Sequence, residues 1–195
     1  MENRLPMASD VANPAVSSGL RGAGVVLAGS VLVALCSHIS LPLWFTPVPL
    51  TLQPFAVLLL GLVLSPRLAA ATLGAYLLEG AAGLPVFAPG LALGAGMAHL
   101  LGPTGGYLMS YPAAAALVSW LRRGLTRGFT GAVLGAAAGN ALILLCGFVW
   151  LTVWTHAAPG SAFALAVLPF LAGDALKVVA AASIVSGLDR IKRNR

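Results

Sequence analysis

Hydrophobic and polar positions along this chain are segregated into long blocks. Three apolar intervals separate the charged clusters, and they cover residues 22–66, 68–121 and 128–188. Within them, charged residues occur only at Glu79, Asp174 and Lys177. A transmembrane helix needs about 20 residues at a rise of about 1.5 Å each. Each interval therefore has room for two helices and a turn, and the pattern predicts six transmembrane helices.

Proline and glycine mark the middle of each interval, where they interrupt helices for steric reasons. Prolines cluster between residues 42 and 54, between 85 and 103, and between 159 and 169. The predicted helices therefore cover residues 22–41, 50–65, 68–83, 105–121, 129–155 and 168–189. We expect a single membrane domain over residues 21–190. A polar, disordered tail over residues 1–20 precedes it, and a short basic tail over 191–195 follows.

The composition excludes a soluble protein. Asp, Glu, Lys and Arg make up 8% of the residues, and the mean hydropathy is +0.95. Soluble domains carry about 25% charged residues, so this chain lacks the polar surface that water requires. The net charge of +6 would suggest nucleic acid as a partner of a soluble protein. In a membrane protein it reports orientation instead, and we expect membrane lipid and no nucleic acid as a partner.

Lys and Arg residues are distributed unequally between the two predicted sides. Lys177 lies inside a predicted helix, and the other basic residues all fall on one side: Arg4, Arg21, Arg67, Arg122, Arg123, Arg127, Arg190, Lys192, Arg193 and Arg195. The loops on the opposite side contain no Lys or Arg. The positive-inside rule predicts that both termini are cytoplasmic and that the Pro/Gly loops face outward, closing a pocket.

Asp174 and Lys177 are the most informative charged residues, because they lie three apart on one face of the last helix. With Pro169 in the first turn, Asp174 would lie about 8 Å into that helix. A charge at a helix centre costs about 2.5–3.5 kcal/mol and usually faces a cavity or a partner. The pair is therefore either a neutralised pair that tolerates the membrane or a polar patch in a binding pocket. For Glu79, the sequence favours neither a structural role nor a ligand-binding role over the other.

Other polar residues are weaker candidates. Gln53 starts the second predicted helix, where its amide either meets a ligand or satisfies backbone groups near prolines. Asn140 lies beside small residues in the fifth helix and favours interhelical packing. The GPTGGY motif at 102–107 lacks the lysine of a phosphate loop and predicts a tight turn. The scattered histidines His38, His99 and His156 predict no metal site.

The four tryptophans lie near predicted helix ends, as in an aromatic belt at the membrane interface. They are Trp44, Trp120, Trp150 and Trp154. Trp44, in the first outer loop, is the best candidate to form an apolar wall for a bound ring.

Four motifs in order resemble the BioY family, the biotin-specific substrate-binding subunits (S components) of energy-coupling-factor transporters. These motifs are PVPLTLQ at 47–53, GLPVF at 83–87, GPTGGY at 102–107 and GDALK at 173–177. The resemblance extends from about residue 25 to residue 188 and implies an all-α, six-helix fold with an outward pocket. It also implies a multi-pass protein of the bacterial inner membrane.

The resemblance implies roles for particular residues. Asp174 and Lys177 would recognise the ureido group of biotin, and Gln53 would lie at the mouth of the pocket. Residues 84–107 would form much of the pocket and its lid. The expected binding residues are Asp174, Lys177, Gln53, Glu79, Phe87, Trp44, Thr104, Gly105 and Tyr107. Small residues on the first helix, Gly24, Ala28, Ser30 and Ala34, would dock a transmembrane partner.

The expected partners are biotin, an energy-coupling transmembrane subunit and two ATPase subunits. The chain has no ATP site, so those subunits would use the ATP, and no cofactor or catalytic residue is expected. Two alternatives remain at the level of sequence. One is an S component or facilitator for another small vitamin, and the other is an intramembrane hydrolase that uses Asp174 or a histidine.

Overall fold

The structure is a computed structural model, and it describes residues 14–89, 96–125 and 128–194. Apart from two strands of two residues each, its regular elements are helices. In chain order they are α1 (Pro14–His38), β1 (Ser40–Leu41), β2 (Leu50–Thr51), α2 (Gln53–Val63), α3 (Pro66–Ala81), α4 (Met97–Leu101), α5 (Gly105–Gly124), α6 (Phe129–Thr155), α7 (Pro159–Ala166) and α8 (Leu171–Arg193).

The long helices agree in position with the predicted ones but differ at their ends. Helix α1 begins at Pro14, so residues 14–20, which the sequence assigned to a disordered tail, are helical. The first 13 residues of that tail lie outside the described residues. Helix α8 continues to Arg193 and includes most of the expected basic tail. Among the described residues, three helices are long and apolar enough to cross a membrane: Gly19–His38 within α1, α6 and α8.

Helix α2 is shorter than the predicted 50–65 because a β-hairpin replaces its first turn. Strand β2 pairs antiparallel with β1, with Ser40 opposite Thr51 and Leu41 opposite Leu50. The helix then starts at Gln53, with Pro54 in its first turn. Its 11 residues span about 16 Å at 1.5 Å per residue, about half the hydrocarbon thickness. The hairpin and its proline-rich loop therefore add to the length of this segment at the end where α2 begins.

The short helices α4 and α7 were not predicted. Helix α4 directly precedes the GPTGGY turn, and its five residues are too few to show a helical period in the sequence. Helix α7 starts with Pro159. Proline fits the first turn of a helix because backbone N–H groups there have no partner within the helix, so no hydrogen bond is lost. Both lie in segments that we had predicted to be loops.

The core forms around α5, which packs against α2, α3 and α6, while α8 packs against α2 and α6. Glycines allow these helices to approach closely. A Cβ at Gly61 would lie 2.8 Å from the Ala115 carbonyl oxygen, and one at Gly139 would overlap Val118. The buried core is apolar and includes Tyr76 of α3 and Tyr111 of α5.

Large apolar side chains cover much of the outer surface. On α1, Leu27, Val31 and Leu35 are all more than half exposed, as are Leu134 and Leu145 on α6. Exposing such an apolar surface to water is unfavourable, whereas contact with lipid chains is favourable. The long apolar helices likewise fit the hydrocarbon core of a membrane. The exposed surface therefore supports the conclusion that this is a membrane protein.

Candidate functional site: a cavity at one end of the helices

A cavity of about 310 Å³ lies at the end of the molecule where α2, α5 and α8 begin. The loop between β1 and β2, residues 87–88 after α3, helix α4 and one side of α6 complete its walls. The polar or aromatic side chains that line it are Thr46, Thr51, Gln53, Phe87, His99, Thr104, Tyr107, Tyr111, Trp154, Phe170, Asp174 and Lys177. Several of the predicted site residues therefore share one cavity.

Asp174 lies in the first turn of α8 and only 3% of it is exposed to solvent. Our prediction of a position about 8 Å into the helix was wrong, because α8 begins at Leu171 and residues 168–170 form a turn before it. The backbone N–H of Asp174 donates to the Phe170 carbonyl at 2.8 Å. A carboxylate in a first turn is stabilised by the positive end of the helix dipole, so its burial costs less than at a helix centre.

Lys177 forms a buried ion pair with Asp174. Its Nζ lies 2.8 Å from Asp174 Oδ1, and the lysine is 9% exposed. A buried charge requires a partner, because desolvation costs several kcal/mol per ion. Each of these residues satisfies the other, and both line the cavity. A ligand in the cavity therefore meets a carboxylate and an ammonium side by side.

Asn140 holds the second oxygen of the same carboxylate. Its Nδ2 donates to Asp174 Oδ2 at 3.2 Å, from the middle of α6. Asn140 is buried but does not line the cavity, so it contacts the carboxylate of Asp174 from the side away from the cavity. The sequence favoured simple helix packing for this residue, since nothing in it shows that α6 and α8 bring residues 140 and 174 together.

Gln53 belongs to a second polar network at the start of α2. Its Nε2 donates to the Tyr76 hydroxyl at 2.5 Å, and that hydroxyl donates to the Val86 carbonyl at 3.0 Å. Thr51 donates to Gln53 Oε1 at 3.2 Å. The network ties the hairpin, α2 and α3 to the segment that carries Phe87. The sequence identified Gln53 but missed Tyr76, which does not line the cavity.

Phe87 forms an apolar wall of the cavity and is held on two sides. Its ring makes an edge contact with Tyr76 at a centroid distance of 5.4 Å and a tilted contact with His99 at 5.5 Å. Gly80 lies under the ring, where a Cβ would overlap Phe87. This glycine therefore fixes the position of the wall. The predicted role of Phe87 as a cavity residue agrees with this placement.

The GPTGGY turn contributes Thr104 and Tyr107 to the cavity, but not Gly105. A Cβ at Gly105 would overlap the Leu100 carbonyl, and one at Gly106 would overlap Trp150. These glycines allow the start of α5 to pack against α4 and α6, so the expectation that Gly105 contacts the ligand is not supported. Tyr107 donates its hydroxyl to the Ala166 carbonyl at 2.7 Å and thereby ties α5 to α7.

Two further predicted binding residues lie away from the cavity. Glu79 is half-buried between α1 and α3, where Ser30 Oγ donates to its Oε1 at 2.9 Å. Trp44 is 96% exposed and points away from the protein. The hairpin turns Leu43 and Thr46 into the cavity instead. The apolar wall that we expected from Trp44 comes from Phe170 and from Trp154, whose role the sequence did not show.

The small residues of α1 divide into two faces. Gly24 and Ala28 are exposed. Ser30 is buried against α3, and Ala34 is half-buried against the core. Ser30 packs inside the fold and is not available to another subunit, whereas Ala34 keeps part of its surface exposed. The exposed pair remains available.

The cavity is mostly apolar, with a few convergent polar groups at one side. A carboxylate, an ammonium, an amide and several hydroxyls meet rings and aliphatic side chains. Its volume is at the low end of the range of about 300–1,000 Å³ that is typical of small-molecule pockets. The fold and the site together define a helical membrane protein with a binding cavity for one small organic molecule.

Comparison with known proteins agrees with this class and makes it specific. The BioY family model matches residues 7–194, and the chain belongs to the BioY family. A probable biotin transporter BioY of Pyrococcus horikoshii is 42% identical over 142 residues, which is 73% of this chain and 81% of that protein. Biotin transporter BioY of Thermotoga maritima is 34% identical over 164 residues, covering 84% of this chain and 93% of that protein.

A solved structure has the same fold. The crystal structure of the S-component for biotin from an ECF-type ABC transporter superposes with a TM-score of 0.79 at 23% sequence identity. The match covers 89% of this chain and 93% of that one. At this level of identity the likeness concerns the fold, and it includes nearly the whole described chain.

Proposed function

We propose that this chain binds biotin in this cavity and carries it across the membrane as the substrate-specific subunit of an energy-coupling-factor transporter. Membership of the BioY family and the names of the relatives support this function. Those relatives are transporters rather than enzymes, so the hydrolase alternative is set aside.

The observation that carries the proposal is the Asp174–Lys177 pair inside an otherwise apolar cavity. The ureido group of biotin has two N–H donors and one carbonyl acceptor. A carboxylate accepts from the donors, and an ammonium donates to the carbonyl, so the pair offers the complementary chemistry. Hydrogen bonds to charged groups contribute about 1.5–3 kcal/mol each, which makes this pair the main source of specificity. The rings of Phe87 and Phe170 supply apolar contacts for the remainder of the ligand.

A titration of the purified protein tests this proposal. We expect biotin to bind at one site, and an analogue without the ureido oxygen to bind at least about tenfold more weakly, since it leaves the Lys177 donor unpaired. Equal affinities for biotin and the analogue would mean that the ureido oxygen does not contact Lys177. Binding of a different vitamin in preference to biotin would favour the alternative of another S component on the same fold.

We further propose six transmembrane segments, formed by α1, α2 with the hairpin, α3, α5, α6 and α8, in the bacterial inner membrane. The distribution of Lys and Arg supports cytoplasmic termini and an outward cavity. Cysteine labelling in intact cells tests this orientation, in a Cys36→Ser, Cys146→Ser background. We expect Trp44→Cys to react with an impermeant reagent and Gly124→Cys to react only after lysis. The reverse pattern would contradict the orientation.

The energy-coupling partners belong to the same proposal. The structural neighbour is described as part of an ECF-type ABC transporter. We propose a transmembrane coupling subunit and two ATPase subunits as partners of this chain, with the exposed Gly24 and Ala28 face of α1 as the contact. Small residues allow close approach of a second helix, which supports this choice.

A further inference from the structure

A second cleft, of about 680 Å³, lies at the opposite end of the helices from the binding cavity. Helices α2, α5 and α8 all begin at the binding cavity, and the second cleft is lined by their last residues and by Gly128 before α6. The side chains around it are Leu62, Val63, Leu64, Ser119, Arg122, Arg123, Asp189, Lys192 and Arg193. The proposed function makes no use of this cleft.

The cleft gathers positive charge from two distant parts of the chain. Arg122 and Arg123 end α5, while Lys192 and Arg193 end α8. Among the described residues that line the cleft, Asp189 is the one carboxylate, and Arg122 binds it at 2.5 Å. The lining therefore has a surplus of three cationic groups. Basic residues at helix ends interact favourably with the helix dipole, but that effect alone does not require two helices to direct them into one cleft.

The shape of the cleft follows from the helix packing. Helices α5 and α8 both pack against α2 and α6, and the Arg122–Asp189 pair ties their ends together. Arg123, Lys192 and Arg193 are exposed, so they are accessible to a ligand. Beside them, Leu62, Val63 and Leu64 at the end of α2 form an apolar wall. Cationic groups next to an apolar wall fit a molecule with an anionic head and a hydrocarbon tail.

We propose that this cleft binds the phosphate headgroup of an anionic phospholipid. Basic pockets between transmembrane helices are known to bind such headgroups, and each Lys or Arg near an anionic membrane surface contributes to the attraction. The apolar wall favours a lipid over free phosphate, because free phosphate has no hydrocarbon part that could pack against the wall. With the proposed orientation, the lipid comes from the cytoplasmic leaflet.

Binding of short-chain lipids to the purified full-length chain, followed by native mass spectrometry, tests the proposal. The probes are a short-chain phosphatidylglycerol, the matching phosphatidylcholine and inorganic phosphate. We expect phosphatidylglycerol to bind about tenfold more tightly than phosphatidylcholine. The double variant Arg123→Gln, Lys192→Gln should lose that preference. Arg122 is left unchanged, because its pair with Asp189 supports the fold.

A matched control removes the same number of charges away from the cleft. Arg21→Gln, Arg67→Gln alters two exposed arginines outside the lining and should keep the lipid preference. Retained helical circular dichroism shows that both variants fold, and unchanged biotin affinity separates this test from the proposed function. Strong competition by inorganic phosphate would indicate a free anion as the source of the same chemistry. Equal binding of the two lipids, or an equal loss in both double variants, would overturn the proposal.

Discussion

Asn140 donates a hydrogen bond to Asp174 at 3.2 Å and so joins α6 to the first turn of α8. The carboxylate of Asp174 is thereby held at both oxygens, since Lys177 binds the other one at 2.8 Å. A carboxylate fixed in this way cannot rotate freely. Its remaining lone pairs are then directed by the protein, which prepares the group for a ligand with paired N–H donors.

The first prediction concerns Asn140 as a positioning residue. Asn140→Ala should lower biotin affinity about tenfold, because it removes one hydrogen bond to a buried carboxylate. Titration calorimetry with biotin and with an analogue methylated at both ureido nitrogens, which has no N–H to donate to Asp174, measures both affinities. If Asn140 acts through Asp174, the variant lowers the affinity for biotin more than the affinity for the analogue. A merely structural role would weaken both ligands equally, and that result would contradict the prediction.

The second prediction separates binding from stability at the ion pair. Asp174→Asn should lower biotin affinity by about tenfold or more, and it should also destabilise the protein, because it leaves Lys177 buried without a counter-ion. Adding Lys177→Met should restore much of the thermal unfolding temperature, because it removes the unpaired charge, but it should not restore binding.

Glu79→Gln is the matched control for that experiment, since Glu79 is the other carboxylate within the apolar intervals and does not line the cavity. We expect biotin affinity within about threefold of the parent protein. A loss as large as that of Asp174→Asn would mean that Glu79 takes part in binding after all.

The sequence predicted the positions of the long helices well and the lining of the cavity in part. Long uncharged intervals determine where helices can form, because a charge in lipid is costly, and the predicted helices lie close to α1, α3, α5, α6 and α8. The hairpin before α2 was missed, because strands of two residues have no detectable alternation. The same limit applies to α4 and α7.

Within the site, the sequence identified residues that are expensive to bury and missed residues that are recruited by packing. Asp174, Lys177 and Gln53 stood out because they are polar residues in apolar surroundings. Trp154 and Tyr111 line the cavity only because of how α5 and α6 pack. Conversely, Trp44 was expected in the site from its place in the first outer loop, and Glu79 because it is a charge within an apolar interval. The hairpin and the α1–α3 contact place them elsewhere.

The third prediction concerns the Phe87 wall. Gly80→Ala should push the ring of Phe87 from its place, since the new Cβ overlaps it, and overpacking of this kind costs about 1–3 kcal/mol. We expect lower biotin affinity and a lower unfolding temperature. Gly74→Ala on the same helix is the control. A Cβ at that position meets no atom within 4 Å, and alanine favours helix by up to about 1 kcal/mol. Similar losses in both variants would show that the helix, and not the wall, is affected.

The last prediction tests the exposed face of α1. Ala28→Leu adds bulk on a surface that we propose to contact the coupling subunit, so it should reduce co-purification with that subunit and reduce transport. Biotin affinity of the isolated chain should stay within about threefold of the parent, because Ala28 is exposed and does not line the cavity. Ala141→Leu on α6 is a matched change at another exposed position and should leave the complex intact. Gly24 and Ala28 are the exposed members of the predicted docking set, since Ser30 is buried and Ala34 is half-buried. Retention of the complex by Ala28→Leu would contradict the proposed contact.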